Sequence, residues 1–310
     1  MTTFTDLGVP RPLVASLEAR GIDTPFPIQA ASIPDALSGR DILGKAPTGS
    51  GKTLAYGIPV LARVEKAEPC RPRALILAPT RELAAQIGAD LVPMAKTVRR
   101  WVLVVHGGVG YERQRRQLRR GIDVLVATPG RLADLIEEGS VSLRDVDLVV
   151  VDEADRMADM GFMPQVRRLL DQTSSPRQTL LFSATLDGEV AELTRRYQHD
   201  PVRHEVADAD DHGDAAHYFW MVDRQDRIGL AAEVIASSTP AIVFTRTRSG
   251  AERLARQLAR AGVHTESIHG GRSQAQRGRA LAAFAQGRVA ARVATDVAAR
   301  GIHVDRVASV

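Results

Sequence analysis

The chain has 310 residues, 44% of them apolar and 25% charged, enough to bury two ordinary cores. Its formal charge of +4 is modest, and its single cysteine, Cys70, excludes a disulfide framework or a thiolate metal cluster. No uncharged run approaches the roughly 18 residues of a membrane span, and the start, MTTFTDLGVP, lacks the basic and apolar stretches of a signal peptide, so the expectation is a soluble, cytoplasmic protein. The cations are nearly all arginine, with lysine only at Lys45, Lys52, Lys66 and Lys96. That bias fits phosphate recognition and, equally, a GC-rich coding sequence.

The first apolar run, Ile42–Lys45, predicts a strand, followed by an amphipathic helix over Thr53–Val64. The pattern repeats with strands at Ala74–Ala78, Val102–Val105, Val124–Ala127, Leu148–Val151 and Thr179–Phe182. Helices are expected at Glu82–Met94, Glu112–Arg120, Arg131–Glu137, Pro164–Asp171 and Gly188–Arg196. Apolar runs without alternation, separated by helices, are the pattern of a parallel sheet in an α/β domain. Around Asp200–Ala216 the alternation breaks in the acidic stretch DADDHGDAAH. His204, His212 and His217 lack a regular ligand spacing, which favours a solvated linker over a metal site. Alternation resumes with strands at Tyr218–Val222, Ile242–Phe244, Thr265–Ile268 and Arg292–Ala294, and helices at Arg227–Ile235, Gly250–Ala261 and Gln274–Ala285. The expected organisation is a domain over 1–205, a linker at 206–216 and a second domain over 217–310.

Two motifs carry chemistry. APTGSGKT, from Ala46 through Pro47, Thr48, Gly49, Ser50, Gly51 and Lys52 to Thr53, follows a strand and opens a helix. Backbone N–H groups at such a turn hold a phosphate, Lys52 adds a cation and the Thr53 hydroxyl can ligate Mg²⁺. Ala46 stands where the strict pattern has glycine. The second motif, Asp152-Glu153-Ala154-Asp155, follows the run LVVV, so its carboxylates emerge at the C-terminal edge of a sheet, where α/β proteins bind ligands. Asp152 can hold Mg²⁺ and Glu153 can take a proton from an attacking water.

The tetrad DEAD resembles the signature of the DEAD-box RNA helicases, and the other blocks are similar to that family in its order. They are GIDTPFPIQ (Gly21–Gln29), PTRELA (Pro79–Ala84), Gly107-Gly108, TPGR (Thr128–Arg131) and SAT (Ser183–Thr185). IVFTRT (Ile242–Thr247), HGGRSQAQR (His269–Arg277) and ATDVAARG (Ala294–Gly301) follow. The resemblance implies two RecA-like parallel-sheet domains in tandem, the second incomplete. It implies an ATP- and Mg²⁺-dependent RNA helicase gripping the RNA backbone and working as a monomer. On its terms Gln29 reads adenine, with Phe4 stacking upstream, and Ser183 and Thr185 link the acidic motif to RNA grip. Pro79, Thr80, Arg81, Gly107, Gly108, Thr128, Gly130 and Arg131 would contact the backbone from the first domain. Gly270, Gln274, Arg277 and Thr295 would do so from the second.

Other features call for structural readings. Glu112–Arg120 is basic on several sides, which reads as a solvated helix before an auxiliary RNA contact. Trp101 and Trp220 read as core or edge packing before base-stacking platforms, and Met157, Met160 and Met163 as filler.

The sequence also departs from the family. It ends at Val310 without the motif shaped like HRxGRxxR, and His303 stands where an Asp is usual. The expectation is weak turnover. A non-hydrolysing RNA-binding clamp and a DNA helicase remain as alternatives.

Overall fold

The computed structural model describes residues 2–47, 49–206, 216–223, 225–268, 280, 283–284, 286–295 and 307–310. The chain divides into two compact units, Met1–Gly213 and Asp214–Val310. Several expectations lie outside the described residues: Thr48, Gly270, Gln274, Arg277, His303, most of the linker and most of the helix at Gln274–Ala285.

The strands of the first unit are β1 (Ile42–Lys45), β2 (Ala74–Leu77), β3 (Val102–Val105), β4 (Val124–Ala127), β5 (Leu148–Asp152), β6 (Gln178–Ser183) and β7 (Val202–Glu205). They form one sheet in the order β3-β4-β2-β5-β6-β1-β7, parallel at every pairing. The helices are α1 (Arg11–Glu18), α2 (Pro27–Leu37), α3 (Lys52–Arg63), α4 (Arg81–Thr97), α5 (Tyr111–Leu118), α6 (Pro129–Glu137), α7 (Ala154–Asp159), α8 (Met163–Leu170) and α9 (Gly188–Tyr197).

Alternation of side chains along each strand splits the core in two. Ala74 and Ile76 of β2 join a cluster with residues of α1 to α4, whereas Leu75 and Leu77 join one with residues of α5 to α9. The sheet is therefore covered on both faces, which is why its central strands read as unbroken apolar runs.

The second unit has α10 (Arg227–Ser237), β8 (Ala241–Thr245), α11 (Arg248–Arg260), β9 (Thr265–Ile268) and β10 (Ala291–Thr295). Its three strands are parallel in the order β8-β10-β9. Ser309 forms a parallel bridge to Ala241 on the other side of β8. The expected α/β architecture with two parallel sheets is what the chain adopts.

Three expectations are corrected. Tyr218–Val222 is not a strand; Tyr218 and Trp220 stack on each other at 5.8 Å, and Phe219 and Met221 are exposed. The break placed from Asp200 onward contains β7, an edge strand whose residues alternate half-buried and exposed and so show no apolar run. Neither tryptophan is packed away: Trp101 is 67% exposed and Trp220 is 55% exposed. Met157 and Met163 are fully buried, as filler should be, whereas Met160 is half-buried.

Candidate nucleotide and nucleic-acid site

Strand order assembles the site. In the parallel register Lys45 of β1 lies opposite Ser183 of β6, and Asp152 of β5 lies opposite Phe182. The glycine-rich turn, the acidic motif and SAT thus leave the same sheet edge from three neighbouring strands. The Ala46 N–H continues the ladder to the Ser183 carbonyl at 3.1 Å.

The turn after β1 wraps around its own lysine. Lys52 is buried, and its ammonium donates to the Ala46 carbonyl at 2.8 Å and the Pro47 carbonyl at 3.0 Å. Gly51, at φ +84, sits where a Cβ would lie 2.4 Å from the Gln29 amide nitrogen and 2.6 Å from the Phe26 ring. Only glycine permits that approach. Gln29 fixes the contact: its amide oxygen accepts from the Phe26 N–H at 2.9 Å, and its amide nitrogen donates to the Gly51 carbonyl at 2.9 Å. The residue expected to read adenine therefore also grips the phosphate loop.

Phe4 does not join this group. It is 2% exposed within the core beside α1 and α2, so its ring has no face to offer a ligand. The exposed aromatic beside Gln29 and Gly51 is Phe26.

Asp152 is buried at the end of β5. Its carboxylate accepts from the Tyr56 hydroxyl at 2.8 Å and from the Glu153 N–H at 3.0 Å. Burial pushes its pKa up to about 6; the Lys52 charge opposes the rise and the Glu153 charge adds to it. The Tyr56 phenol is raised well above its usual range, by burial first and then by the Asp152 charge. Glu153 holds left-handed backbone angles, φ 52 and ψ 52, which a side chain with a Cβ adopts only at a cost of about 1–2 kcal/mol. Its carboxylate accepts from Arg156 at 2.6 Å. Ser183 is fully buried and its hydroxyl accepts from the Asp155 N–H at 3.2 Å, tying β6 to the start of α7. Thr185 is exposed beyond the strand. Thr53 follows Lys52 in the first turn of α3. Among the described residues there is no group of three or more His, Cys, Asp or Glu able to hold a metal unaided. A single buried carboxylate with a nearby hydroxyl fits an ion held mostly by phosphates and water, the habit of magnesium.

The other half of the same edge carries the residues expected to contact an RNA backbone. Pro79, Thr80 and Arg81 follow β2, Gly107 and Gly108 follow β3, and Thr128, Gly130 and Arg131 follow β4. Thr80 caps α4, its hydroxyl accepting from the Leu83 N–H at 3.2 Å. The Arg81 guanidinium lies against Gly107, where a Cβ would come within 2.7 Å of it. Thr128 precedes α6, and Gly130 in its first turn is exposed.

Arg131 takes a different part from the one expected. Its side chain is only 9% exposed and stacks 3.9 Å over the Tyr111 ring. It donates to the Val109 carbonyl at 2.8 Å and the Gln114 amide oxygen at 2.9 Å, so it braces the glycine loop from beneath. Thr295 ends β10 at the C-terminal edge of the second sheet.

Sequence reasoning missed Tyr56, Arg156, Tyr111 and Gln114. The Arg156–Glu153 pair has the i, i+3 spacing of a helix contact, a legible signal. Tyr56 lies 96 residues from Asp152, and no local pattern joins them.

Fold and site together define a phosphate-loop protein: a parallel sheet, a glycine-rich turn entering a helix, and a buried acid on a nearby strand. The DEAD/DEAH box helicase family description matches residues 26–193, and that of the helicase conserved C-terminal domain matches residues 226–310. The chain belongs to the DEAD/DEAH box helicase family. It is 42% identical over 314 residues to DEAD-box ATP-dependent RNA helicase 3A, chloroplastic, of Zea mays, covering 97% of this chain and 42% of that protein. Over 313 residues it is 38% identical to DEAD-box ATP-dependent RNA helicase CshA of Geobacillus kaustophilus, covering all of this chain and 67% of that one. The chain therefore spans about two fifths to two thirds of the length of these relatives.

Among solved structures, it resembles S. cerevisiae Dbp5 bound to Gle1 and IP6. The TM-score is 0.76 at 27% identity, over 99% of this chain and 78% of the other. The RNA helicase Prp28 of Chaetomium thermophilum bound to ADP gives a TM-score of 0.63 at 36% identity, over 98% and 75% of the two chains.

Proposed function

We propose that this chain is the motor core of an ATP-dependent RNA helicase, binding ATP and a single RNA strand and coupling hydrolysis to local duplex opening. One observation carries the reading. The sheet order β3-β4-β2-β5-β6-β1 sorts one edge into two adjoining halves, a phosphate and acid half on β5, β6 and β1 and a backbone-contact half on β3, β4 and β2. The DEAD motif ends β5, which pairs with β2, so it lies at the seam where nucleotide chemistry can be felt by the strand grip.

The residues have definable tasks. The Lys52 ammonium, now held by two loop carbonyls, exchanges them for the phosphates of ATP. Gln29 keeps the loop closed on one side and faces the adenine on the other. Asp152 and Thr53 would hold magnesium, which when bound neutralises phosphate charge and polarises the bond to be cleaved. Glu153 takes the proton from the attacking water, once released from Arg156. Contacts limited to phosphates and 2′-hydroxyls make the grip indifferent to base sequence and selective for RNA. The reading includes a cytoplasmic, monomeric protein.

Two substitutions test it. Lys52→Ala should abolish binding of a fluorescent ATP analogue, because the phosphates lose their flexible cation; unchanged affinity would remove APTGSGKT from the site. Glu153→Gln should leave that binding intact while RNA-stimulated hydrolysis drops by roughly a hundredfold, the usual weight of a general base. Wild-type binding of ATP and RNA without turnover would favour the non-hydrolysing clamp.

A further inference from the structure

At the opposite, N-terminal edge of the first sheet lies a groove of about 630 Å³ that the reading above does not use. It opens beneath the starts of β3 and β4 and between the C-terminal ends of α4 and α5. Lys66, Lys96, Arg99, Arg100 and Arg120 line it, with Trp101 at its mouth. Charge and geometry both set it apart. Among the described residues the only acid in the lining is Asp123, and its carboxylate is occupied, accepting the backbone N–H groups of Ala67 and Trp101 at 2.7 Å each. Among the described residues none of the five cations is in an ion pair, although Arg71, Arg73 and Arg115 of the same unit all are. Arg100 is oriented by donating to the Val64 carbonyl at 2.9 Å.

Cations at helix ends answer the helix dipole, which accounts for Lys96 in the last turn of α4 and Arg99 just beyond it. The dipole leaves Lys66 unexplained, and it leaves the indole unexplained too. Trp101 is 67% exposed and its backbone is anchored by Asp123, so a flat apolar side chain stands in solvent beside uncompensated positive charge. Unpaired cations along a groove with one exposed aromatic ring are what a single nucleic-acid strand needs: phosphates on the cations, a base on the ring. An acidic peptide would use the cations and leave the platform idle.

We propose that this groove is a second binding site for single-stranded RNA, with a base stacked on Trp101 and phosphates along Lys66, Lys96, Arg99 and Arg120. Because it lies on the edge away from the phosphate loop, it holds RNA whether or not nucleotide is bound. It keeps a strand near the motor while the other edge releases and regrips.

The test uses Trp101 as its own reporter in the Trp220→Phe chain. A uridine decamer should quench its emission saturably, equally with and without an ATP analogue. Lys96→Glu with Arg99→Glu should weaken that quenching about tenfold and lower the salt dependence by about two counterions, with ATP-analogue affinity unchanged. Absence of quenching while the decamer still binds would overturn the second site and leave the helicase reading standing. Quenching unaffected by the double reversal would also overturn it. A glutamate decamer quenching as strongly as RNA would assign the groove to an acidic protein segment instead.

Discussion

At the scale of single residues, the acid at the centre of the site is held at a cost to the fold. Burial raises the Asp152 pKa to about 6, so between about pH 4 and that value the folded chain keeps a proton that the unfolded chain has released. Stability therefore falls as pH rises through this window, and the full cost applies above it. That rise in pKa is worth roughly 3 kcal/mol. Asp152→Asn removes the charge but loses one acceptor for the Tyr56 hydroxyl or the Glu153 N–H, a loss of about 1 kcal/mol. We expect this variant to melt several degrees higher near neutral pH, with the gain gone at about pH 4. Equal melting at both pH values would mean that the buried charge carries no penalty. Asp152, Lys52 and Gln29 could be singled out as candidate site residues from the sequence, because each sits in a motif at a strand or helix end. Their present partners were not, since Tyr56 and the loop carbonyls are set by packing across the sheet. Phe4 misled for the same reason: the family resemblance offers an aromatic upstream, and only the core decides that it is buried.

At the scale of elements, the central strands could be read because Val, Leu and Ile fill positions covered on both faces. The edge strand β7 could not, its VRHE showing no apolar run. The helix α2 was passed over because Pro34 interrupts it and its composition is apolar on most sides. Tyr218–Val222 failed in the opposite direction, since strand propensity describes a fit to a neighbouring strand rather than a backbone preference. The same logic separates bracing from binding at α6. Arg131 joins α6 to the glycine loop and to α5 by two charged hydrogen bonds and a ring stack. Arg131→Ala should therefore destabilise the first unit by about 2 kcal/mol, and weaken RNA binding only through the loosened loop. Arg131→Lys should recover part of that stability, because an ammonium cannot reproduce the planar fork. RNA affinity lost in Arg131→Ala with melting unchanged would instead make Arg131 a direct phosphate contact.

At the scale of the whole molecule, the two units differ in what they bury. The first has a large core cluster on each face of its sheet. Among the described residues, the buried cluster of the second consists of Ile235, Ala241, Ala251, Leu258, Ala291 and Val293, half of them alanines. The residues proposed for ATP, from Gln29 to Glu153, belong to the first unit, and binding that favours one folded unit stabilises that unit alone. At a hundred times Kd the gain is about 2.7 kcal/mol, or roughly 5–10 °C for a domain of about 200 residues. The two tryptophans divide the signal, Trp101 reporting the first unit and Trp220 the second. In chains keeping one tryptophan each, an ATP analogue with magnesium and no RNA should raise the Trp101 transition by that amount and leave the Trp220 transition in place. A joint shift would mean that nucleotide alone couples the units. The ATP site would then draw on residues of the second as well as the first.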